Sequence, residues 1–247
     1  MTSAIGAMES TQRVQEILAR KAALRRWYFE MYEGFRACSS RCPVEGLTVE
    51  LGSGGGFAKE VVHELITTDV RPGRGIDRVV DATALPFGAS SVRLICMLNV
   101  FHHIPDVAAF FAEAVRVLVP GGRVMIIDQH LGVLSRPIYR FGHDEPCDPG
   151  ARRWSFENSD GRTGANGALA HIVFRRDRAR FDRDFPELSI VGYRPHSPLR
   201  YWLAGGLRRW SLLPRFGFPM ATGLDRLLAR LSAQACSFVD VELCREA

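Results

Sequence analysis

The stretch Val49-Glu50-Leu51-Gly52-Ser53-Gly54-Gly55-Gly56 decides the fold. The apolar run over 47–51 ends at once in a glycine cluster, the pattern of a short strand feeding a tight turn. Glycine allows the backbone to turn sharply and lets a ligand approach it closely. The residues that follow predict a helix over 57–65, whose first turn would offer unpaired N–H groups and a partial positive charge. Such a turn suits a nucleotide-like cofactor or its carboxylate. A dinucleotide-binding turn reads G-x-G-x-x-G. Counted from Gly52, its third glycine would fall at Phe57; the sequence instead places glycines at 52, 54 and 56.

Outward from this turn, short apolar runs alternate with helical patterns. Strands are predicted at 66–70, ending near Asp69, at 76–81, at 92–100 and at 123–128. The run over 92–100 is almost wholly apolar, as expected for a strand covered on both faces. A helix is predicted over 106–118, with Asp106 at its positive end and Pro120-Gly121-Gly122 behind it. Before the glycine turn, 11–36 reads as an amphipathic helix carrying Val14, Leu18, Leu24, Tyr28, Met31 and Phe35 on one stripe. Beyond Asp128 the rhythm breaks into a long polar segment, 130–186. A sixth strand follows at 188–193, a helix at 224–231 and a last strand at 238–244. Alternation of this kind predicts an α/β fold. Its form is a doubly wound, mostly parallel seven-stranded sheet with helices on both faces, an N-terminal helix and a lid-like insertion after strand five. The expected organisation is a helical segment at 1–46, a cofactor-binding core at 47–130, and a lid with the closing strands at 131–247.

Four stretches together resemble the class I, Rossmann-like, S-adenosylmethionine-dependent methyltransferases. They are Glu50 to Gly56, Asp81-Ala82-Thr83-Ala84-Leu85-Pro86-Phe87, Leu98-Asn99-Val100-Phe101-His102-His103-Ile104-Pro105-Asp106, and Leu118 to Val124, in the family's order and covering roughly 47–130. The resemblance implies S-adenosyl-L-methionine as cofactor. It places Glu50, Gly52, Ser53, Gly54 and Gly56 beside the methionine portion, Asp69 on the ribose, Asp81 and Ala82 at the adenine, and Leu98 and Asn99 along the cofactor. His102 and His103 are candidates for a general base, because histidine titrates near neutral pH. The alternatives left open are a non-catalytic S-adenosylmethionine-binding module and an NAD-dependent oxidoreductase.

The remaining features bear on the acceptor. It is expected to be a small molecule, a glycan or a lipid-linked molecule, methylated at oxygen or carbon. Arginines crowd 130–186, among them Arg175, beside Trp154, so this segment is expected to wall the acceptor pocket. The stretch 201–220 mixes Trp202, Trp210, leucines and arginines in the manner of a peripheral membrane contact. The net charge of +5 rests almost wholly on arginine, Lys21 and Lys59 being the only lysines. No basic reader domain accompanies it, so no nucleic-acid partner is expected. Six scattered cysteines, with Cys38 and Cys42 lacking a second pair at zinc spacing, fit a reduced cytoplasmic protein with no metal. No apolar run is long enough to span a bilayer.

Overall fold

A computed structural model of the chain describes residues 14–55, 57–139, 145–156 and 164–246. One seven-stranded sheet runs through it in the order β3-β2-β1-β4-β5-β7-β6. The strands are β1 (Leu47–Leu51), β2 (Leu65–Asp69), β3 (Arg78–Val79), β4 (Val92–Leu98), β5 (Leu118–Gln129), β6 (Leu188–His196) and β7 (Phe238–Arg245). The first five pair in parallel; β7 lies antiparallel between β5 and β6. The doubly wound α/β architecture expected from the sequence is therefore present. The chain reverses its direction of winding at β1 and β4, which opens a crevice at their carboxyl ends.

Alternation along the central strands supplies two cores. Ile95 and Met97 of β4, with Val124 and Ile126 of β5, face helix α2 (Val107–Val117) and its Phe110 and Phe111. The intervening Leu94, Cys96, Met125 and Ile127 face helix α1 (Ala22–Ser39) and its Trp27, Met31 and Phe35. Each such buried aromatic or aliphatic side chain contributes about 1.5–3 kcal/mol relative to an exposed one. Asp106 starts α2 by accepting from the amides of Ala108 and Ala109 at 3.0 and 3.1 Å, as an N-cap should. Helix α3 (Arg178–Asp184) adds Phe181 to the α2 face, and helix α4 (Phe218–Leu231) packs by Phe218 and Ala221.

Several boundaries differ from expectation. The helix over 57–65 is reduced to a 3₁₀ turn at Phe57–Glu60. Leu65 is already paired with Thr48 in the sheet, and Glu64 adopts a left-handed φ of 58°, so no room remains for further helical turns. The strand over 76–81 shrinks to Arg78–Val79, and β4 stops at Leu98 because Asn99 turns left-handed with φ 56°. The N-terminal helix breaks at Lys21, so helical residues at 14–20 precede α1. Lys21 itself donates to the Gly206 and Arg208 carbonyls at 2.6 and 3.2 Å, fastening this elbow to the 200–210 region. Residues 11–13 and Gly56 lie outside the described set. All six cysteines are free thiols. Among the described residues no helix is long and apolar enough to cross a membrane.

Candidate active site

The glycine turn is built by its neighbours. Gly52 and Gly54 adopt φ of 65° and 52°, and a Cβ on Gly52 would meet the Val100 side chain at 2.4 Å. The Ser53 amide donates to the Thr68 carbonyl at 2.8 Å, the Thr68 amide donates to Ser53 Oγ at 3.1 Å, and Thr68 Oγ1 donates to the Glu50 carbonyl. The Gly54 amide donates to Asp69 Oδ2 at 3.2 Å. Asp69 thus stiffens the turn from the end of β2, and its burial raises its carboxyl above the ordinary value despite these amides.

A cavity of about 850 Å³ opens over this turn at the carboxyl ends of β1, β4 and β5. Gly52 to Gly55, Leu98 and Asn99 line it, together with Tyr28 and Tyr32 of α1. Tyr139, Tyr201, Trp202, Leu207, Arg208 and Trp210 line it as well. Val14 and Leu18 reach it because the chain bends at Lys21.

Among the described residues, two acceptor atoms in the cavity have no hydrogen-bond partner. Glu50 is 2% exposed, and neither protein donor nor solvent reaches its Oε2. Burial, helped by the charge of Asp69 and opposed by Ser53 and Lys59, pushes its carboxyl up to about 7. Asn99 Oδ1 is buried without a partner as well. A buried polar atom without a hydrogen bond is costly, so a pair of them in one cavity marks a place for a donor.

A polar cluster also lines the cavity. His102, on the 3₁₀ turn Phe101–His103, is 2% exposed. Its Nδ1 lies 2.6 Å from Asp128 Oδ1 and its Nε2 lies 3.1 Å from Glu145 Oε2. His103 Nε2 lies 3.3 Å from Glu145 Oε1, and Gln129 Nε2 donates to Glu145 Oε2 at 3.5 Å. Burial works against charge on His102, but Asp128 and then Glu145 outweigh it and push its pKa up to about 10. The same histidines, against the effect of burial, hold Glu145 well below the usual carboxylate range.

The cavity brings together Glu50, Gly52, Ser53, Gly54, Leu98, Asn99, His102 and His103. Asp69, Asp81 and Ala82 stand outside it; Asp81 is exposed and accepts from the amide and hydroxyl of Thr83 at 2.8 and 2.7 Å. Trp154 and Arg175 do not wall the cavity either. Trp154 is buried in the α2 core, donating to Asp177 at 2.9 Å, and Arg175 lies over the Tyr193 ring. Tyr28, Tyr32, Asp128 and Tyr139 escaped the reading of the site. Asp128 carried a signal, a carboxylate closing the apolar run 124–127.

Comparison with known proteins agrees with this geometry. Residues 49–126 match the model of the family described as Methyltransferase domain. Over 77 residues the chain is 32% identical to the ubiquinone/menaquinone biosynthesis C-methyltransferase of Desulfotalea psychrophila, a match covering 31% of this chain and 30% of that relative. The chain therefore aligns with under a third of that relative's length. Among solved structures, geranyl diphosphate C-methyltransferase of Streptomyces coelicolor A3(2), in complex with Mg²⁺, geranyl diphosphate and S-adenosyl-L-homocysteine, superposes with a TM-score of 0.51 at 18% identity, covering 90% of this chain and 81% of that one. A chain of the complex between the Haloferax volcanii Trm112 methyltransferase activator and a methyltransferase gives 0.51 at 17% identity, covering 93% and 95%. Residues 49–126 thus match a methyltransferase domain, and the sheet has the Rossmann-like fold of these class I methyltransferase structures. The glycine turn, with Glu50 and Asn99 acceptors that have no partner among the described residues, fits the ammonium group of S-adenosylmethionine.

Proposed function

We propose that the chain is an S-adenosylmethionine-dependent methyltransferase, and that it methylates an amphipathic small-molecule or lipid-linked acceptor at an oxygen, or at a carbon activated by a neighbouring oxygen. The observation that carries this reading is the cavity itself. It brings together, in one space, the Glu50 and Asn99 acceptors, tyrosine and tryptophan rings, and the cluster of His102, His103 and Glu145. S-adenosylmethionine supplies an electrophilic methyl carbon on its sulfonium. Glu50 and Asn99 accept from the ammonium of its methionine portion, Gly52, Ser53 and Gly54 lie along that portion, and Leu98 flanks it. Asp69, Asp81 and Ala82 continue the binding surface towards the ribose and adenine along the ends of β2 and β3. The rings exclude water and hold the apolar body of the acceptor, and the histidine cluster receives its polar atom. Alignment of acceptor and methyl carbon supplies much of the acceleration, up to about 7–11 kcal/mol.

A free histidine base is not what the cluster offers. Both nitrogens of His102 are engaged by carboxylates, so it orients Glu145 rather than accepting a proton. His103 is the more accessible ring, with 32% of its side chain exposed.

The lipid-linked form of the acceptor draws support from the cavity margin. Trp210, Leu212, Phe216 and Met220 are 47%, 72%, 87% and 78% exposed. Met220, Leu224, Leu227 and Leu231 recur at helical spacing on the outer side of α4, all exposed. Arg209, Arg226 and Arg230 are interspersed, while the carboxylate of Asp225 is buried against Arg200 at 2.7 Å. This surface suits peripheral contact with an anionic bilayer. Incubation with labelled S-adenosylmethionine and extracted lipids and metabolites tests the function; the label should enter an apolar, oxygen-bearing product. Failure to bind S-adenosylhomocysteine, or label appearing only in polar, water-soluble products, would overturn it.

A further inference from the structure

We propose that His102, His103 and Glu145 form a binding site for a divalent transition-metal ion, zinc by its donor set, at the acceptor end of the cavity. Their ligand atoms all lie within 4.8 Å of one another. The two nitrogen–oxygen separations involving Glu145 are 3.1 and 3.3 Å. Ligands about 2.0–2.1 Å from a tetrahedral zinc ion stand roughly 3.3 Å apart, so both Glu145 pairs already have the required spacing. Two histidines and one carboxylate are a donor set used by zinc where a fourth position is left for water or substrate. That fourth position faces the cavity here, since all three residues line it.

The surroundings are those of a metal ligand rather than of a surface ion pair. Asp128, fully buried at the end of β5, engages His102 Nδ1 at 2.6 Å. A carboxylate on the far nitrogen fixes the ring orientation and leaves Nε2 as the ligating atom. Asp128 is itself held by the Gln129 amide at 2.6 Å, and Gln129 Nε2 reaches Glu145 Oε2. The ion would take the place of the direct contact between His102 Nε2 and Glu145 Oε2, 3.1 Å apart. The site explains why an enzyme of this kind would tie up both nitrogens of its most buried histidine. A bound cation lowers the pKa of an acceptor hydroxyl or polarises a neighbouring carbonyl, so no separate free base is required. That catalytic role rests on the function proposed above; the metal site does not.

The test uses the full chain, stripped with a chelator and dialysed. Zn²⁺ is titrated by calorimetry, Co²⁺ by visible absorption, and S-adenosylhomocysteine by calorimetry on the same sample. The expected result is one equivalent of Zn²⁺ and a Co²⁺ spectrum of nitrogen and oxygen ligation in a low-coordinate site. Affinity should fall at least about a hundredfold in His103→Ala and Glu145→Ala, and by about 10–100-fold in Asp128→Asn. His103→Gln provides a milder second variant should His103→Ala not fold. Absence of Zn²⁺ and Co²⁺ binding, or binding that persists in a His103→Ala/Glu145→Ala double variant, overturns the site. If S-adenosylhomocysteine still binds in that event, the metal proposal alone fails; if neither ligand binds, the methyltransferase reading fails with it.

Discussion

Glu50 should oppose the stability of the unliganded protein at the pH where the enzyme works. Its carboxyl moves from the ordinary 4.5 up to about 7, burial being the chief cause. At about 1.4 kcal/mol per pH unit, ionising it inside the fold costs about 3 kcal/mol. The sign follows from proton counts. Between pH 4.5 and 7 the folded chain keeps a proton that the unfolded chain has released, so stability falls as pH rises through that window and levels off above 7. Glu50→Gln removes the titration. Between pH 5 and 8 the variant should gain about 2–3 kcal/mol relative to the parent, equivalent to roughly 5–10 °C in Tm for a chain of this size. Comparing the two proteins at each pH cancels the contributions of all other titrating groups. The assay is denaturant or thermal unfolding of both proteins from pH 5 to 8, without cofactor. Parallel stability profiles would refute the reasoning. A second arm follows S-adenosylhomocysteine, whose ammonium requires the carboxylate: parent affinity should decline below pH 7 towards tenfold per pH unit, while the variant binds weakly with no such slope.

Three further substitutions separate the parts of the site. Gly52→Ala places a Cβ 2.4 Å from the Val100 side chain at a left-handed φ, so calorimetry should find no cofactor binding; retained affinity would mean the turn is softer than its packing implies. Asp69→Ala removes the acceptor of the Gly54 amide as well as the expected ribose partner, and should weaken S-adenosylhomocysteine by about 1.5–3 kcal/mol; an unchanged Kd counts against the residue's role. Asp225→Ala removes the buried acceptor of Arg200 Nε and leaves its guanidinium only Glu30 and Thr222, so it should cost about 1.5–3 kcal/mol in urea unfolding, with a much smaller loss pointing to solvent entry at the site.

The sheet was legible because its strands are pure signals. The β4 and β5 runs are apolar on both faces, and Asp106 with its amide partners marks the start of α2. The short connections were not. The chain between Gly56 and Leu65 has helix-compatible residues, yet sheet pairing of Leu65 overrides their preference. The cofactor half of the site could be read because Glu50, Gly52, Ser53 and Gly54 are contiguous and Asn99 follows a strand end. Beyond the candidates His102 and His103 the rest could not, because Glu145 meets His102 across 43 residues and Tyr28 arrives on a helix far from the glycine turn. Trp154 illustrates the opposite failure. A tryptophan in a polar segment invites a binding role, whereas here it fills a core behind α2 and satisfies its N–H on Asp177.

The place of β7 constrains how the molecule can be made. Strand β6 touches the sheet only through β7, which the chain delivers 42 residues after β6 ends. During synthesis, residues 188–196 must leave the ribosome with both backbone edges unsatisfied and wait for 238–245 before either can be paired. Order of emergence and order of assembly thus run opposite at this edge. Interrupted or slowed translation within that interval would expose an unpaired strand, the feature from which chain-to-chain aggregation starts.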